Sequence, residues 1–122
     1  MSNGIAGSTG WAESVVYLGR DIPGGGQVAE EQFNKFLAQE VTKDFPKGLT
    51  VLDAYGQMQK DDGTIEKQLT WVILLVHGDD SANRDAVGVV VDAYRRQFGD
   101  PQVMVTTGSI DVQFFQSGPA PK

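Results

Sequence analysis

Cysteine is absent from the 122-residue chain, and histidine occurs only once, at His77. The lack of cysteine excludes disulfides, thiol catalysis, thiolate metal sites and iron–sulfur clusters. A single histidine excludes a metal site with several imidazole ligands in one chain. The pairs Asp61-Asp62 and Asp79-Asp80 are not followed by the alternating oxygen ligands of a calcium loop. We therefore expect no metal and no cofactor.

Positive charge is scarce as well, because ten Lys and Arg stand against sixteen Asp and Glu, which gives a net charge of −6. Such a surface repels phosphate backbones and anionic lipid unless a basic stripe is present, and the sequence shows none. The longest apolar run is also far shorter than the roughly 20 residues that span a bilayer. We expect neither a nucleic acid nor a membrane as partner.

The first residues contain neither the positive segment nor the apolar stretch of a signal peptide. We expect a cytoplasmic protein, although an exported protein whose leader has been removed would begin in the same way. The length suits one domain of about 100–150 residues. The sequence predicts a flexible N-terminus over residues 1–10, a single α+β domain over residues 11–116 and a flexible tail over residues 117–122.

The run from Trp71 to Val76 is the most informative stretch that is present, because it is apolar at both parities of a strand. A strand of this kind must be covered on both faces of its sheet. A chain of this length can supply helices for one face but is short of material for the other. The second layer is therefore expected from another copy of the chain, in a homodimer or a higher homo-oligomer.

Apolar periodicity predicts strands and helices in the order β-α-β-β-α-β. The strands are expected at residues 14–18, 49–58, 65–77 and 103–107, and the helices at residues 28–45 and 81–98. Residues 110–115 alternate again, either as a continuation past a bulge or as a returning strand. This order predicts a ferredoxin-like α+β fold, with a four-stranded antiparallel sheet and two helices on one face. The open face would serve for dimerisation, as in a dimeric α+β barrel.

Alternation along the strands divides their side chains between the two faces of the sheet. One parity is aliphatic, which suits packing against helices that present Phe, Leu and Val. We assign to this helix-covered face Val16, Leu18, Leu52, Ala54, Val72, Leu74 and Val76. The opposite parity mixes aromatic, aliphatic and hydrogen-bonding groups, as ligand pockets and subunit interfaces do. This assignment places on the open face Tyr17, Asp53, Tyr55, Gln57, Trp71, Ile73, Leu75 and His77.

Candidate ligand-binding residues follow from this open face and from the end of the first strand. They are Tyr17, Arg20, Tyr55, Gln57 and Trp71. The tyrosines and the glutamine can donate hydrogen bonds, and the indole offers a stacking surface. The arginine can hold a carboxylate through two parallel hydrogen bonds, although Asp21 beside it offers an internal partner. The alternative interpretation of the aromatic residues is that they anchor a subunit interface.

Two candidate catalytic residues are Asp53 and His77. A carboxyl group on an apolar face is desolvated, which favours its protonated form and suits it to proton transfer near neutrality. The single imidazole is the only histidine base available. The alternatives are that Asp53 is a surface residue and that His77 is solvated at the end of its strand.

Several stretches also resemble the bacterial domain-of-unknown-function family 3574. They are Tyr17–Arg20, Pro23–Gly26, Val41–Asp53, Gly56-Gln57 and the third strand with His77 and Asp79. The resemblance covers most of the chain and is densest from Phe45 to Gln57. The family has no assigned activity, so the resemblance implies a relative and no mechanism. Members often carry a secretory or lipoprotein leader, and the chain departs from their pattern at Ala29 and Met58.

Three classes of function stay open at this point. The first, which we favour, is a homo-oligomeric domain that binds a small apolar or aromatic ligand in a pocket on the open sheet face. The second is a cofactor-independent enzyme of isomerase or cyclase type, with Asp53 or His77 as base and a tyrosine as acid. The third is a structural role in which a partner subunit fills the open face completely.

Overall fold

The computed structural model describes residues 10–115, which form four strands and two helical segments. The strands are β1 (Trp11–Gly19), β2 (Thr50–Gln59), β3 (Ile65–Gly78) and β4 (Val103–Ile110). They make one antiparallel sheet in the order β2-β3-β1-β4, with helices on one face. The predicted ferredoxin-like α+β fold is thereby confirmed. Flexible termini were predicted for residues 1–10 and 117–122, and all of these residues except Gly10 lie outside the described residues.

The first helical segment is interrupted, where the sequence had predicted one continuous helix. It consists of α1 (Glu30–Phe36), a π-helical turn (Leu37–Val41) and α2 (Thr42–Asp44). Phe36 and Val41 are both fully buried although they lie five positions apart. A π turn bonds residue i to residue i+5, and here Thr42 N–H donates to the carbonyl of Leu37. The wider turn therefore keeps both side chains against the sheet.

The second helix, α3 (Ser81–Gln97), begins at the residue predicted from the sequence. The Asp80 carboxylate accepts a hydrogen bond of 2.8 Å from the backbone N–H of Asn83. Gly99 and Asp100, with φ of 76° and 69°, turn the chain away after the last residue of the helix. No helix within residues 10–115 combines the length and the apolar character that crossing a bilayer requires.

The strand register corrects the predicted assignment of side chains to faces. Leu18 lies opposite Trp71, and Val16 lies opposite Ile73, so these residues share one face. That face is the one beneath the helices, because the Phe33 ring of α1 stacks on the Trp71 ring with centroids 4.4 Å apart. The assignment was right for β1 and wrong by one position on β2 and β3. The helix-covered face therefore holds Asp53, Tyr55, Gln57, Trp71, Ile73, Leu75 and His77.

The open face carries the aliphatic parity that had been assigned to the core. A cross-strand row of Leu52, Val72, Tyr17 and Met104 crosses the whole sheet. A second row joins Leu74 to Val15, and Val76 follows it on β3. Leu52 is 47% exposed, Val76 44% and Met104 53%. An apolar sheet face of this extent is typical of a surface that is covered by another molecule.

The hairpin of β2 and β3 extends beyond the rest of the sheet. β1 ends at Gly19, opposite Thr70, so residues 65–69 of β3 pair with β2 alone. We call residues 55–69 the arm. Its tip is a turn in which Lys60 N–H donates to the carbonyl of Thr64 at 2.8 Å, with Gly63 at φ 89°.

At the C-terminal side, β4 runs through Gly108 and Ser109 without a break. The strand predicted for residues 110–115 is absent, since residues 111–115 have no regular secondary structure. The Phe114 ring instead meets the Trp11 ring edge-on, with centroids 6.0 Å apart.

Candidate functional site

Arg20, Asp53 and Trp71 meet on the helix-covered face, and we call this cluster the Arg20 end of the sheet. The Arg20 guanidinium carbon lies 3.5 Å from the centroid of the Trp71 ring. Phe33 stacks on the same indole with an angle of 2° between the ring planes. The indole is therefore held between the cation and the phenyl ring, an arrangement that stabilises the arginine through cation–π attraction.

The hydrogen bonds of Arg20 satisfy only part of its guanidinium. Nη2 forms an ion pair with Asp53 Oδ1 and donates to the Thr70 carbonyl at 3.3 Å. The side chain of Arg20 is 12% exposed, whereas that of Asp53 is 71% exposed. Arg20 Nε and Trp71 Nε1 are buried and have no hydrogen-bond partner within residues 10–115. Buried N–H groups without acceptors are unfavourable and rare in folded proteins.

A cavity of about 220 Å³ opens beside Arg20 at the base of the arm. Its walls include Arg20, Ile22, Pro23, Gln68, Leu69 and Gln102. The loop that forms one side is anchored at both ends, since Val28 N–H donates to the Arg20 carbonyl at 2.8 Å. Gly24, Gly25 and Gly26 all have positive φ, which only glycine adopts without strain. The glycines are thus explained by the tight loop that borders the cavity.

The other predicted ligand-binding residues do not line this cavity. Tyr55 and Gln57 project from the helix-covered side of the arm and are exposed. Lys67 Nζ lies 5.1 Å from the centroid of the Tyr55 ring. Tyr17 lies on the open face, opposite Val72 and Met104. The structure brings together Arg20, Trp71 and Asp53, places Tyr17 on the open face and leaves Tyr55 exposed on the arm. The role of each residue stays a prediction.

Asp53 does not have the environment that its predicted catalytic role requires. It projects on the same face as Trp71, but β2 is an edge strand and the helices leave its carboxylate in solvent. Its partner is a fixed cation. The desolvation on which the proton-transfer hypothesis depended is therefore missing.

His77 lies near the opposite end of the sheet with Ser14 and Thr107, and we call this cluster the His77 end. Its Nδ1 is 2.8 Å from the Gly78 carbonyl, and its Nε2 is 2.8 Å from Ser14 Oγ. A carbonyl only accepts, so Nδ1 donates, and Nε2 of the neutral ring accepts from Ser14. Ser14 Oγ in turn accepts from Thr107 Oγ1 at 2.9 Å. Sequence reasoning missed Ser14, whose signal is a hydroxyl at the buried parity of β1.

A second cavity of about 390 Å³ lies between α3 and β4, and Ser14 and Thr107 are among its lining residues. The serine–histidine pair is nevertheless unsuited to nucleophilic attack. Ser14 has no exposed surface, and its hydroxyl is engaged on both sides. The hydrogen bonds join β1, β3 and β4, so the cluster aligns three strands.

The pKa values of two side chains near these clusters, Asp79 and Tyr94, are shifted from their usual values. Hydrogen bonds from Arg84 and then from Ser109 lower the pKa of Asp79, which follows β3 beyond His77. Burial raises the pKa of the Tyr94 phenol well above its usual value. The Tyr94 hydroxyl donates to the Gly19 carbonyl at 2.7 Å. This bond ties α3 to the backbone that precedes Arg20.

Comparison with solved structures shows what the fold is similar to. A phage SAM lyase in complex with S-methyl-5'-thioadenosine aligns with a TM-score of 0.64 and 11% identity, over 93% of each chain. A phage SAM lyase in the apo state aligns at 0.58 with 13% identity, over 100% of this chain and 98% of the other. The B. subtilis GlnK–ATP complex aligns at 0.49 with 19% identity, over 84% and 86%.

Sequence comparison gives the family. Among curated proteins, none is significantly similar to this chain. The profile of the family described as "Protein of unknown function (DUF3574)" matches residues 13–114, which include every strand from Glu13 onward and both helical segments. The chain therefore belongs to the DUF3574 family.

Proposed function

We propose that this protein is a homo-oligomeric ligand-binding domain, in which the ligand occupies the cavity beside Arg20 and a second copy covers the open face. The observation that carries the proposal is the state of Arg20. Its guanidinium is largely buried and fixed over Trp71, yet Nε has no acceptor within the described residues. A ligand oxygen that displaces the exposed Asp53 carboxylate would accept from this oriented guanidinium, which the fold leaves only partly satisfied.

The position of this site differs from the pocket predicted on the open face. Trp71 lies beneath the helices with both faces of its ring covered, and Asp53 lies on the same sheet face but is exposed. The apolar contacts of a ligand would come from Ile22, Pro23 and Leu69. Trp71 then acts by orienting the arginine.

The apolar composition of the open face supports the proposed oligomer. Within the four-stranded part of this face, the only charged side chain among the described residues is Glu13. A protein with a net charge of −6 associates with itself most easily through a surface that lacks this charge. The row from Leu52 to Met104 offers such a surface. The expected occupant is therefore a second copy of this chain.

The enzyme alternative receives less support from the geometry. Asp53 is exposed and ion-paired, and both ring nitrogens of His77 are engaged by partners in the fold. Neither residue is free to act as a base. The similarity to SAM lyase shows a similar fold and does not indicate a shared activity. S-methyl-5'-thioadenosine therefore enters only as one probe among several.

The ligand site can be tested by titrating the ¹⁵N-labelled protein with S-methyl-5'-thioadenosine, indole, butyramide and butyrate. We expect at least one probe to shift the amide resonances of Gly19 to Ile22, Leu69 and Gln102. Arg20→Gln should remove this response. The matched control is Arg84→Gln, which removes the arginine of another Arg–Asp pair at the opposite end of the sheet. No response from any probe at millimolar concentration, or responses confined to other surfaces, would contradict the site.

The oligomer can be tested by sedimentation velocity at micromolar concentration. We expect the wild type to be oligomeric and Leu52→Asp to be monomeric, since a carboxylate would be buried in the interface. Val89→Asp is the matched control, because Val89 is 53% exposed on α3 and lies away from the open face. A monomeric wild type would overturn the oligomer and would leave the ligand site standing.

A further inference from the structure

We infer that the ligand of the Arg20 cavity is a small carboxylate with a short apolar body. This inference rests on the proposed function and specifies the chemistry of the ligand. It depends on the donors that Arg20 leaves unused, on the exposure of its present partner and on the walls of the cavity.

The donor geometry of Arg20 suits a carboxylate. Asp53 and Thr70 engage only Nη2, which leaves Nε without an acceptor among residues 10–115. Nε and the Nη groups of a guanidinium form a planar fork that matches the two oxygens of a carboxylate. The stacked Trp71 ring fixes the plane of this fork. A bound carboxylate could therefore accept from an arginine that is already oriented.

Asp53 acts as an exchangeable partner in this arrangement. Its carboxylate pairs through Oδ1 alone and is 71% exposed on an edge strand. Ion pairs of this kind contribute little to stability because solvent screens them. Asp53 can therefore move into solvent when another carboxylate binds, and its negative charge competes with that of the ligand.

The cavity walls determine the rest of the ligand. Ile22, Pro23 and Leu69 provide apolar surface, and Gln68 and Gln102 provide amides at the margin. Asp21 also borders the cavity, but its Oδ1 accepts from Gln27 Nε2 at 2.9 Å within the loop. The cavity volume of about 220 Å³ is smaller than the roughly 300–1,000 Å³ of pockets that take drug-sized ligands, so the ligand is small.

Butyrate and butyramide provide the test, because they have the same shape and differ in charge. Their affinities are measured by ¹⁵N chemical-shift titration in the wild type, Asp53→Asn and Arg20→Lys. We expect butyrate to bind at least roughly tenfold more tightly than butyramide, because charge-assisted hydrogen bonds are about twice as strong as neutral ones. Asp53→Asn should tighten butyrate binding about threefold or more and leave butyramide unchanged, since a competing carboxylate is removed.

Arg20→Lys should weaken butyrate binding about tenfold, because a lysine keeps the charge but loses the fork. Asp79→Asn is the control, since it removes the carboxylate of the distant Arg84 pair, and it should change neither affinity. Thermal unfolding checks that each variant is folded. If Arg20→Lys does not fold, the affinities measured with Asp53→Asn decide whether the ligand is a carboxylate. Equal affinities for the two probes would contradict a carboxylate ligand but would support the binding site. Binding of neither probe would overturn the inference, and the other probes then decide the site.

Discussion

The two ends of the sheet bury polar side chains in different ways. At the His77 end, the hydroxyl and imidazole groups of Ser14, His77 and Thr107 form a chain of hydrogen bonds that terminates on the Gly78 carbonyl. At the Arg20 end, Arg20 Nε and Trp71 Nε1 are buried without an acceptor within the described residues, and Arg20 is among the residues that line a cavity. The completed network stabilises the fold, and this structural role accounts for its buried polar side chains. The incomplete network beside a cavity is the observation from which we propose a ligand.

The largest expected effect is that of Trp71→Ala at the Arg20 end. Removing a buried tryptophan that stacks on Phe33 should lower the free energy of unfolding by about 3–5 kcal/mol. Urea denaturation measures the loss. Trp11→Ala is the control, because Trp11 is only half-buried and should lose less. Equal losses would show that the stack on Trp71 has no special weight.

Ser14→Ala tests the completed network at the His77 end. His77 Nε2 would lose its donor while it remains buried, which should lower the free energy of unfolding by about 1–3 kcal/mol. Ser109→Ala removes an exposed hydroxyl from the same end and should cost less than about 0.5 kcal/mol. A neutral Ser14→Ala variant would contradict a structural role for the network.

Arg20→Met sharpens the comparison, because it removes a polar group from the incomplete network. The ion pair of Arg20 with the exposed Asp53 carboxylate contributes little to stability, and the substitution also removes the unpartnered Nε donor. The free energy of unfolding should therefore change by less than about 1 kcal/mol. The same urea experiment measures it. A loss of more than about 2 kcal/mol, comparable with a broken buried network, would place Arg20 with the structural residues.

The smallest expected effect is the pH dependence that Asp79 contributes. Hydrogen bonds from Arg84 and Ser109 lower its pKa in the folded state. The associated stability is complete above the unfolded pKa of about 3.9 and is lost as the pH falls through the lower folded pKa. Asp79→Asn should therefore flatten the acid limb of the stability profile below about pH 4. Ser109→Ala should flatten it less, because the Arg84 bond remains.

The order of elements was predictable because each element carries its own period. The helix-facing side chains of α3 recur along one stripe, and β1 alternates cleanly between buried and half-buried residues. The fold followed from that order. The faces of β3 could not be predicted, since Trp71 to Val76 is apolar at both parities. Only the pairing of Leu18 with Trp71 decides between them.

The candidate site was less predictable than the fold, because its contacts join distant parts of the chain. Arg20 and Asp53 are separated by 33 positions, and Ser14 and His77 by 63. The sequence named Asp53, Trp71 and His77 at strand positions and Arg20 after the first strand, but it carried no information on which of them meet. The stack of Phe33 on Trp71 explains why the aromatic parity faces inward.

The π-helical turn has a consequence for how this family can change length. Leu37–Val41 contains one residue more than an α-helical turn would need to bring Phe36 and Val41 onto the same side. Ala38 and Gln39 within it are exposed. Deleting Gln39 would restore a spacing of four and regular α geometry without removing a core side chain. Relatives that are one residue shorter here are therefore expected to have an unbroken helix and the same interior.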